Sequence, residues 1–313
     1  MSIVRLGHVQ IKVMNIDEAV DHYTNIVGMS VTATESDGKV YLKCWDEWDK
    51  YSLILEPSES AGLDHLAFKV ATDADLDNLA NRIAGHGRKV EVLSPGDISG
   101  CGRAIAFELP SSHRVVLFAE KELLGTEVGD INPHPWPDGI HGIGVHWLDH
   151  LALVCEFDPA RGINTVADNA RFMQEALDFK LTEQCLAGPD GSLQLAAFLT
   201  RSNTPHDIAF VPGPTSGLHH IAFYLEDWNS VLKAADIVAK SGKQPSLTPN
   251  RHGMTRGATF YMFDPSGNRN ETFAGLGYLA AQDRPVVTWT EDQLDRGLFF
   301  LGGENRSFLE VYS

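Results

Sequence analysis

The chain repeats itself, and that limits its fold more tightly than any compositional figure. Gly62-Leu63-Asp64-His65-Leu66-Ala67-Phe68 returns as Gly217-Leu218-His219-His220-Ile221-Ala222-Phe223, an offset of 155 residues. The same offset lays Gly102 through His113 over Gly257 through Asn268, and Phe118-Ala119 over Phe273-Ala274. Nearer the start of each half, Gly7-His8-Val9 matches Asp149-His150-Leu151 at an offset of 142, so the 13 additional residues fall near Asp158 to Val166 and in the hairpin that follows. A chain of 313 residues has the length of two domains. The repeat makes them one architecture used twice, residues 1–140 and 141–313, joined through the Pro- and Gly-rich stretch Gly129 to Gly144.

Each half divides again into a strand of alternating polarity, a helix, and two or three further strands. Helices are expected over Ile16 to Ile26, Asp73 to Ile83, Asn164 to Ala176 and Asp227 to Lys240, each after a strand carrying a histidine: His8, His65, His150 and His220. Four βαβββ modules, two per domain, give an α+β fold of mixed sheets. Each pair of modules curls into a barrel-like domain whose strands point alternate residues into a central space.

The second half places metal-ligand chemistry on those inward faces. Alternation sets His150 with Ala152 and Val154, and His220 with Ala222 and Tyr224, while His219 points away. After the turn Asp264-Pro265-Ser266-Gly267-Asn268, Glu271 shares a face with Phe273. Single histidines on apolar strand faces are ordinarily satisfied core residues. Two imidazoles and a carboxylate at matching points of a repeat are the ligand set of a 2-His-1-carboxylate site for Fe(II) or Mn(II). The first half supplies a control: His8 and His65 stand at the positions of His150 and His220, but Val116 stands where Glu271 does. His206 (counterpart Tyr51), His252 in a loop, and Tyr261 on the next strand are expected to aim at the same interior as acids, bases and hydrogen-bond donors.

Composition narrows the rest. Twenty-five basic against 42 acidic residues leave a formal charge of −17, which disfavours nucleic acid and membrane surfaces as partners. No apolar run approaches the roughly 18–20 residues of a membrane span, and the polar start MSIVRLGHVQ has no signal-peptide core, so a cytoplasmic protein is expected. Cys44, Cys101, Cys155 and Cys185 are widely separated with no CxxC pair, which suits a reducing compartment rather than a disulfide or zinc framework.

The run Asn250-Arg251-His252 through Phe260-Tyr261-Met262-Phe263-Asp264-Pro265-Ser266-Gly267-Asn268-Arg269-Asn270-Glu271 resembles the signature of type I extradiol ring-cleavage dioxygenases. Lys39 to Lys43, Gly217 to Phe223 and the tail Pro285 to Thr290 extend the similarity to catechol 2,3-dioxygenases over essentially the whole chain. The resemblance implies a vicinal-oxygen-chelate fold with catalytic metal only in the C-terminal domain. It also implies His150, His220 and Glu271 as ligands of Fe(II), or alternatively Mn(II), and His206, His252 and Tyr261 as catalytic groups around a catecholic substrate and O2. Pocket walls are expected from Phe198, Met254, Thr255 and Phe308, whose mainly apolar character favours catechol and its alkyl or chloro derivatives. Arg251 and Arg256 are the residues that could instead clamp a carboxylate-bearing substrate such as homoprotocatechuate. A 2,3-dihydroxybiphenyl type of enzyme, a non-oxidative lyase and a metal-free binding protein of the same architecture are the competing readings. The resemblance further implies a homo-oligomer, a tetramer, for which Trp136, Trp147 and Trp289 are candidate anchors. Because only the second half carries the carboxylate, elemental analysis of pure protein should find about one metal per chain; a value near two would overturn the asymmetry.

Overall fold

The computed structural model describes residues 2–302 and 307–313. The first half contains β1 (Ile3–Val13), α1 (Ile16–Asp21), β2 (Ser30–Thr34), β3 (Val40–Lys43), β4 (Leu53–Pro57), β5 (Gly62–Val70), α2 (Asp73–Gly85), β6 (Glu91–Leu93), β7 (Ala104–Glu108) and β8 (Arg114–Phe118). The second contains β9 (Leu148–Asp158), β10 (Ile163–Asn164), α3 (Thr165–Leu177), β11 (Lys180–Ala187), β12 (Leu193–Thr200), β13 (Ile208–Gly213), β14 (Gly217–Leu225), α4 (Trp228–Lys240), β15 (Pro245–Arg251), β16 (Ala258–Phe263) and β17 (Arg269–Ala274). A C-terminal extension adds β18 (Val287–Thr290), α5 (Leu294–Leu298) and α6 (Ser307–Glu310). The expected module order is present four times. The insertion near Asp158 to Val166 is a short 3-10 turn plus β10, which pairs back on β9.

Strand order is β2-β3-β4-β1-β5-β8-β7-β6 in one sheet and β15-β16-β17-β14-β9-β13-β12-β11-β18 in the other. In each, two modules meet through an antiparallel pair of their first strands, β1 with β5 and β9 with β14. The two sheets are therefore duplicates at the level of topology, as the repeat requires, and β18 extends only the second.

Local sequence explains the helices. Thr72, Asn164 and Asp227 cap α2, α3 and α4 by accepting a hydrogen bond from the backbone N–H three residues on. The first helix departs from expectation: α1 stops at Asp21 and the chain widens into a π-helical turn, His22–Val27. The wider turn buries the consecutive His22 and Tyr23, both 0% exposed, which a 3.6-residue period cannot place together so readily.

Those two side chains carry the contact between the halves. His22 donates from Nε2 to Asn270 Oδ1 at 2.8 Å, Asn270 donates to the Tyr23 hydroxyl at 3.0 Å, and Tyr23 donates to Asp264 Oδ2 at 3.2 Å. Asn268 accepts from the Gly62 backbone and donates to Lys12 O, while Met14 N donates to Ser266 Oγ. The Asp264 to Asn268 turn and the strand that leaves it are thus docked on the first half. Apolar packing continues across the same boundary, with Phe68 against Phe179 and Phe107 against Phe172. Asn270→Ala leaves His22 and Tyr23 short of buried partners, so urea denaturation should show a loss of about 2 kcal/mol or more, against about 1 kcal/mol for Tyr23→Phe.

Candidate metal centre

Three strands bring His150, His220 and Glu271 together. Ala222 of β14 lies opposite His150 of β9 on one side and Glu271 of β17 on the other, so the register alone sets the two ligands across one position. His150 Nε2 is 3.1 Å and His220 Nε2 3.0 Å from Glu271 Oε2, and one potential ligand atom from each residue falls within 4.8 Å of the others. All three are buried. His220 Nε2 is buried and has no hydrogen-bond partner, although Glu271 Oε2 lies 3.0 Å away. A buried lone pair beside a second imidazole and a carboxylate is a donor set that fits a divalent first-row ion.

Electrostatics agree with that fit. Burial opposes a charged imidazole at His150, but hydrogen bonds to Asp149 and Glu271 outweigh it and raise its pKa to about 9. At His220 burial prevails over Glu271 and lowers the pKa to about 4. Burial alone would raise the Glu271 carboxyl; the imidazoles of His150 and His220 instead hold it well below the usual range. The carboxylate therefore stays ionised, and a cation entering the cluster competes with a proton on His150.

The remaining candidates line the same cavity: His206, His252, Tyr261, Phe198, Met254, Thr255 and Phe308. His206 lies just before β13, its ring 4.0 Å from that of His150 and edge-on to Phe198 at 5.3 Å. His252 donates from Nδ1 to Leu298 O at 2.5 Å, which leaves Nε2 to accept from the Tyr261 hydroxyl at 3.0 Å. Burial holds His206 well below an ordinary histidine pKa and Tyr261 well above an ordinary tyrosine. Arg251 and Arg256 do not line the cavity. Arg251 donates to Arg256 O and lies over Trp228, and Arg256 lies over Tyr278.

Two expectations about strand faces are corrected. β14 is irregular on both sides of His220, with register shifts between Leu218 and His220 and between Ala222 and Phe223. The first brings His219 into the cavity lining, its Nδ1 2.7 Å from His220 Nδ1, instead of away from it. The second takes Tyr224 out of the cavity to stack on Trp147, ring centroids 4.1 Å apart. Strict alternation holds only for an unbroken ladder, and no residue in the strand announces the breaks.

Several supporting residues have no signal in the sequence pattern. Asp149 accepts from His150 Nδ1 at 2.7 Å and Thr259 donates to Glu271 Oε1 at 2.5 Å, orienting two of the three candidate ligands. His219 joins His220 to the tail: its Nδ1 lies 2.7 Å from His220 Nδ1, and its Nε2 faces both Phe308 O at 2.8 Å and the Arg269 guanidinium at 2.9 Å. Glu183 anchors the pocket wall, accepting from the backbone of Thr255, from Tyr278 and from Trp289. That anchor holds Thr255 at φ 57°, a left-handed conformation costly for a β-branched residue. A roomier cavity of about 470 Å³ lies behind this cluster, between the halves, lined by Arg5, Trp48, Trp147 and the far side of Asp149.

Comparison with known proteins agrees with the geometry. The profile of the catechol 2,3-dioxygenase-like N-terminal domain matches residues 63–122, and that of the glyoxalase/bleomycin resistance protein/dioxygenase superfamily matches residues 147–272. The chain is 38% identical over 300 residues to a metapyrocatechase from Pseudomonas sp. (strain CF600), covering 95% of this chain and 94% of the other. It is 28% identical to a manganese-dependent 2,3-dihydroxybiphenyl 1,2-dioxygenase from Geobacillus genomosp. 3, covering 96% and 95%. The crystal structure of the 2,3-dioxygenase LapB from Pseudomonas sp. KL28 superposes with a TM-score of 0.87 at 37% identity, covering 94% of this chain and 99% of that one. Asp149→Asn should weaken metal binding about 10- to 100-fold in a chelator competition while leaving the circular dichroism spectrum unchanged.

Proposed function

The chain belongs to the type I extradiol ring-cleavage dioxygenases, and from that membership we propose that it opens catechol, or a substituted catechol, beside its two hydroxyls with O2, giving a 2-hydroxymuconic semialdehyde. Both oxygen atoms enter the product, so no external reductant is needed. The observation that carries the reading to this site is the convergence of His150, His220 and Glu271 in a cavity that also holds His206, His252 and Tyr261. His150, His220 and Glu271 are the metal ligands in this proposal, and iron is the ion, with manganese the alternative that the Geobacillus relative illustrates. Bound there, a divalent ion supplies Lewis acidity toward the two vicinal oxygens and an adjacent coordination position for O2.

The protein's own groups do the rest. His252 Nε2 is held as a hydrogen-bond acceptor by the bond from its Nδ1 to Leu298 O, so it can take the proton of an incoming catechol hydroxyl. Tyr261, whose hydroxyl points at that nitrogen, can turn its O–H onto the substrate oxygen as charge builds there. His206 sits against His150 in the same cavity, where it can donate to dioxygen and later protonate the leaving oxygen as the O–O bond breaks. Phe198, Met254, Thr255 and Phe308 exclude water and hold the ring.

Substrate choice follows from charge. Among the described residues no arginine or lysine lines the cavity, and the buried Arg269 is committed to Phe308 O. A carboxylate tail would enter unpaired at a cost of several kcal/mol. That supports catechol and alkyl or chloro catechols over homoprotocatechuate.

We further propose that the chain divides at residues 140 and 141, with the first domain free of metal, and that it works as a cytoplasmic homotetramer. No helix among the described residues is long and apolar enough to cross a membrane, and all four cysteines are free and buried. Trp136, 64% exposed, remains available as an anchor between subunits, whereas Trp289 is tied to Glu183 within the chain.

The decisive assay loads the protein with Fe(II) without oxygen, then admits catechol and air. A yellow product with one O2 consumed per catechol is expected, kcat/KM should exceed that for homoprotocatechuate by about 100-fold or more, and absence of O2 uptake refutes the function. His206→Phe should keep metal and catechol binding yet lower kcat by roughly 10²- to 10⁴-fold; unchanged turnover removes His206 from the mechanism.

A further inference from the structure

The first repeat holds a second pair of histidines that the proposed reaction does not use. His8 on β1 and His65 on β5 are 0% and 4% exposed, and their Nε2 atoms lie 3.1 Å apart, across the position where His150 and His220 flank Glu271 in the other repeat. The carboxylate's place is taken by Val116, whose strand has the same register. Val116 pairs with Ala67 and Ala106, as Glu271 pairs with Ala222 and Tyr261.

What differs most is the group on the far nitrogen of the first histidine. His150 Nδ1 faces the carboxylate of Asp149, an acceptor, so its Nδ1 keeps its proton and its Nε2 is free to present a lone pair once an ion displaces the proton shared with Glu271. His8 Nδ1 faces the ammonium of Lys121 at 3.0 Å. An ammonium has only donors, so His8 must accept at Nδ1 and carry its proton on Nε2. That proton is donated to His65 Nε2, and His65 in turn donates from Nδ1 to Asp64 Oδ2 at 2.8 Å. Every bond in the row Lys121, His8, His65, Asp64 runs one way, and a hydrogen bond occupies the gap an ion would need.

Lys121 is built into this place. Its ammonium is fully buried, donates also to Tyr51 O at 3.2 Å, and lies 4.2 Å and 4.5 Å from the ring centres of Tyr51 and Phe118. The titratable groups around it are His8, Asp49 at 4.0 Å, Tyr51 and Cys101, with Arg5 and Glu47 beyond them. Burial lowers its pKa to about 8, which leaves it charged at neutral pH. The alternative arrangement is barred, because the counterpart of Asp149 is Gly7, where an added Cβ would lie 2.4 Å from the Phe118 ring.

We infer that the first repeat is a latent site for a divalent transition-metal ion, closed by two side chains: Val116, which removes the anionic ligand, and Lys121, which fixes His8 in the tautomer that cannot coordinate through Nε2. The inference rests on the reading of His150, His220 and Glu271 as ligands only for its contrast.

The test compares metal content and Co(II) titrations for the full-length wild type, Val116→Glu and Val116→Glu/Lys121→Met. Wild type should hold one ion and the double variant two, with the second ion bound at least about 10-fold more tightly than in Val116→Glu alone. Equal second-site affinity in the two variants overturns the role of Lys121, and a folded double variant that keeps only one ion overturns the latent site. Imidazole ¹⁵N NMR of the wild type, with His8 assigned through His8→Gln, decides the lock without either Val116 variant needing to fold: Nε2–H at His8 is expected, and Nδ1–H refutes it. Wild type that binds no ion at all refutes the second-repeat reading, while the His8 tautomer still decides the Lys121 lock.

Discussion

A carboxylate buried to 1% exposure must find compensation close at hand, and in this protein it is Glu271 that imposes the requirement. Two imidazole nitrogens within about 3 Å and the Thr259 hydroxyl supply it. Each compensating group then needs its own partner: Asp149 behind His150, His219 behind His220, and Phe308 O behind His219. The cluster thus reaches through buried hydrogen bonds to the cavity between the halves on one side and to the C-terminal tail on the other. A cation at its centre would take the place of the His150 proton and engage the unpartnered His220 Nε2, which is what supports the proposed metal centre over a structural ion pair.

The first repeat does not catalyse in this scheme, yet the centre depends on it. Glu271 alternates along β17 with Asn270, and Asn270 is held by His22 and Tyr23 of the first repeat. One strand therefore presents its carboxylate to the cavity on one face and is braced by the other domain on the opposite face. Duplication supplied two similar barrels. One carries the proposed ligand set, and the other is the seat of the Asp264 to Asn268 turn.

Much of this was legible from spacing. The repeat, the module order, three of the four helices, and the grouping of His150, His220, Glu271, His206, His252 and Tyr261 follow from alternation, hydrophobic periodicity and the 155-residue offset, because each is a local or near-periodic property. The failures fall where local rules give way. The π-helical turn at His22 depends on partners some 240 residues away in sequence. Alternation puts His219 and Tyr224 on the wrong faces because β14 is broken on either side of His220, and a bulge is stabilised by neighbouring strands rather than by its own residues. Glu183 carries no motif; its three donors come from the loop at Thr255, from Tyr278 and from β18.

The sequence by itself determined the architecture and the chemical type of the site, since periodicity fixes which faces are buried and residue type fixes what a buried face can bind. Only the tertiary structure decided which histidines can serve. His8 and His150 are the same residue at equivalent points of a repeat, and what separates them is whether Lys121 or Asp149 stands behind the ring. A donor or an acceptor at Nδ1 sets where the imidazole proton lies, and that partner is chosen by folding, not by spacing along the chain.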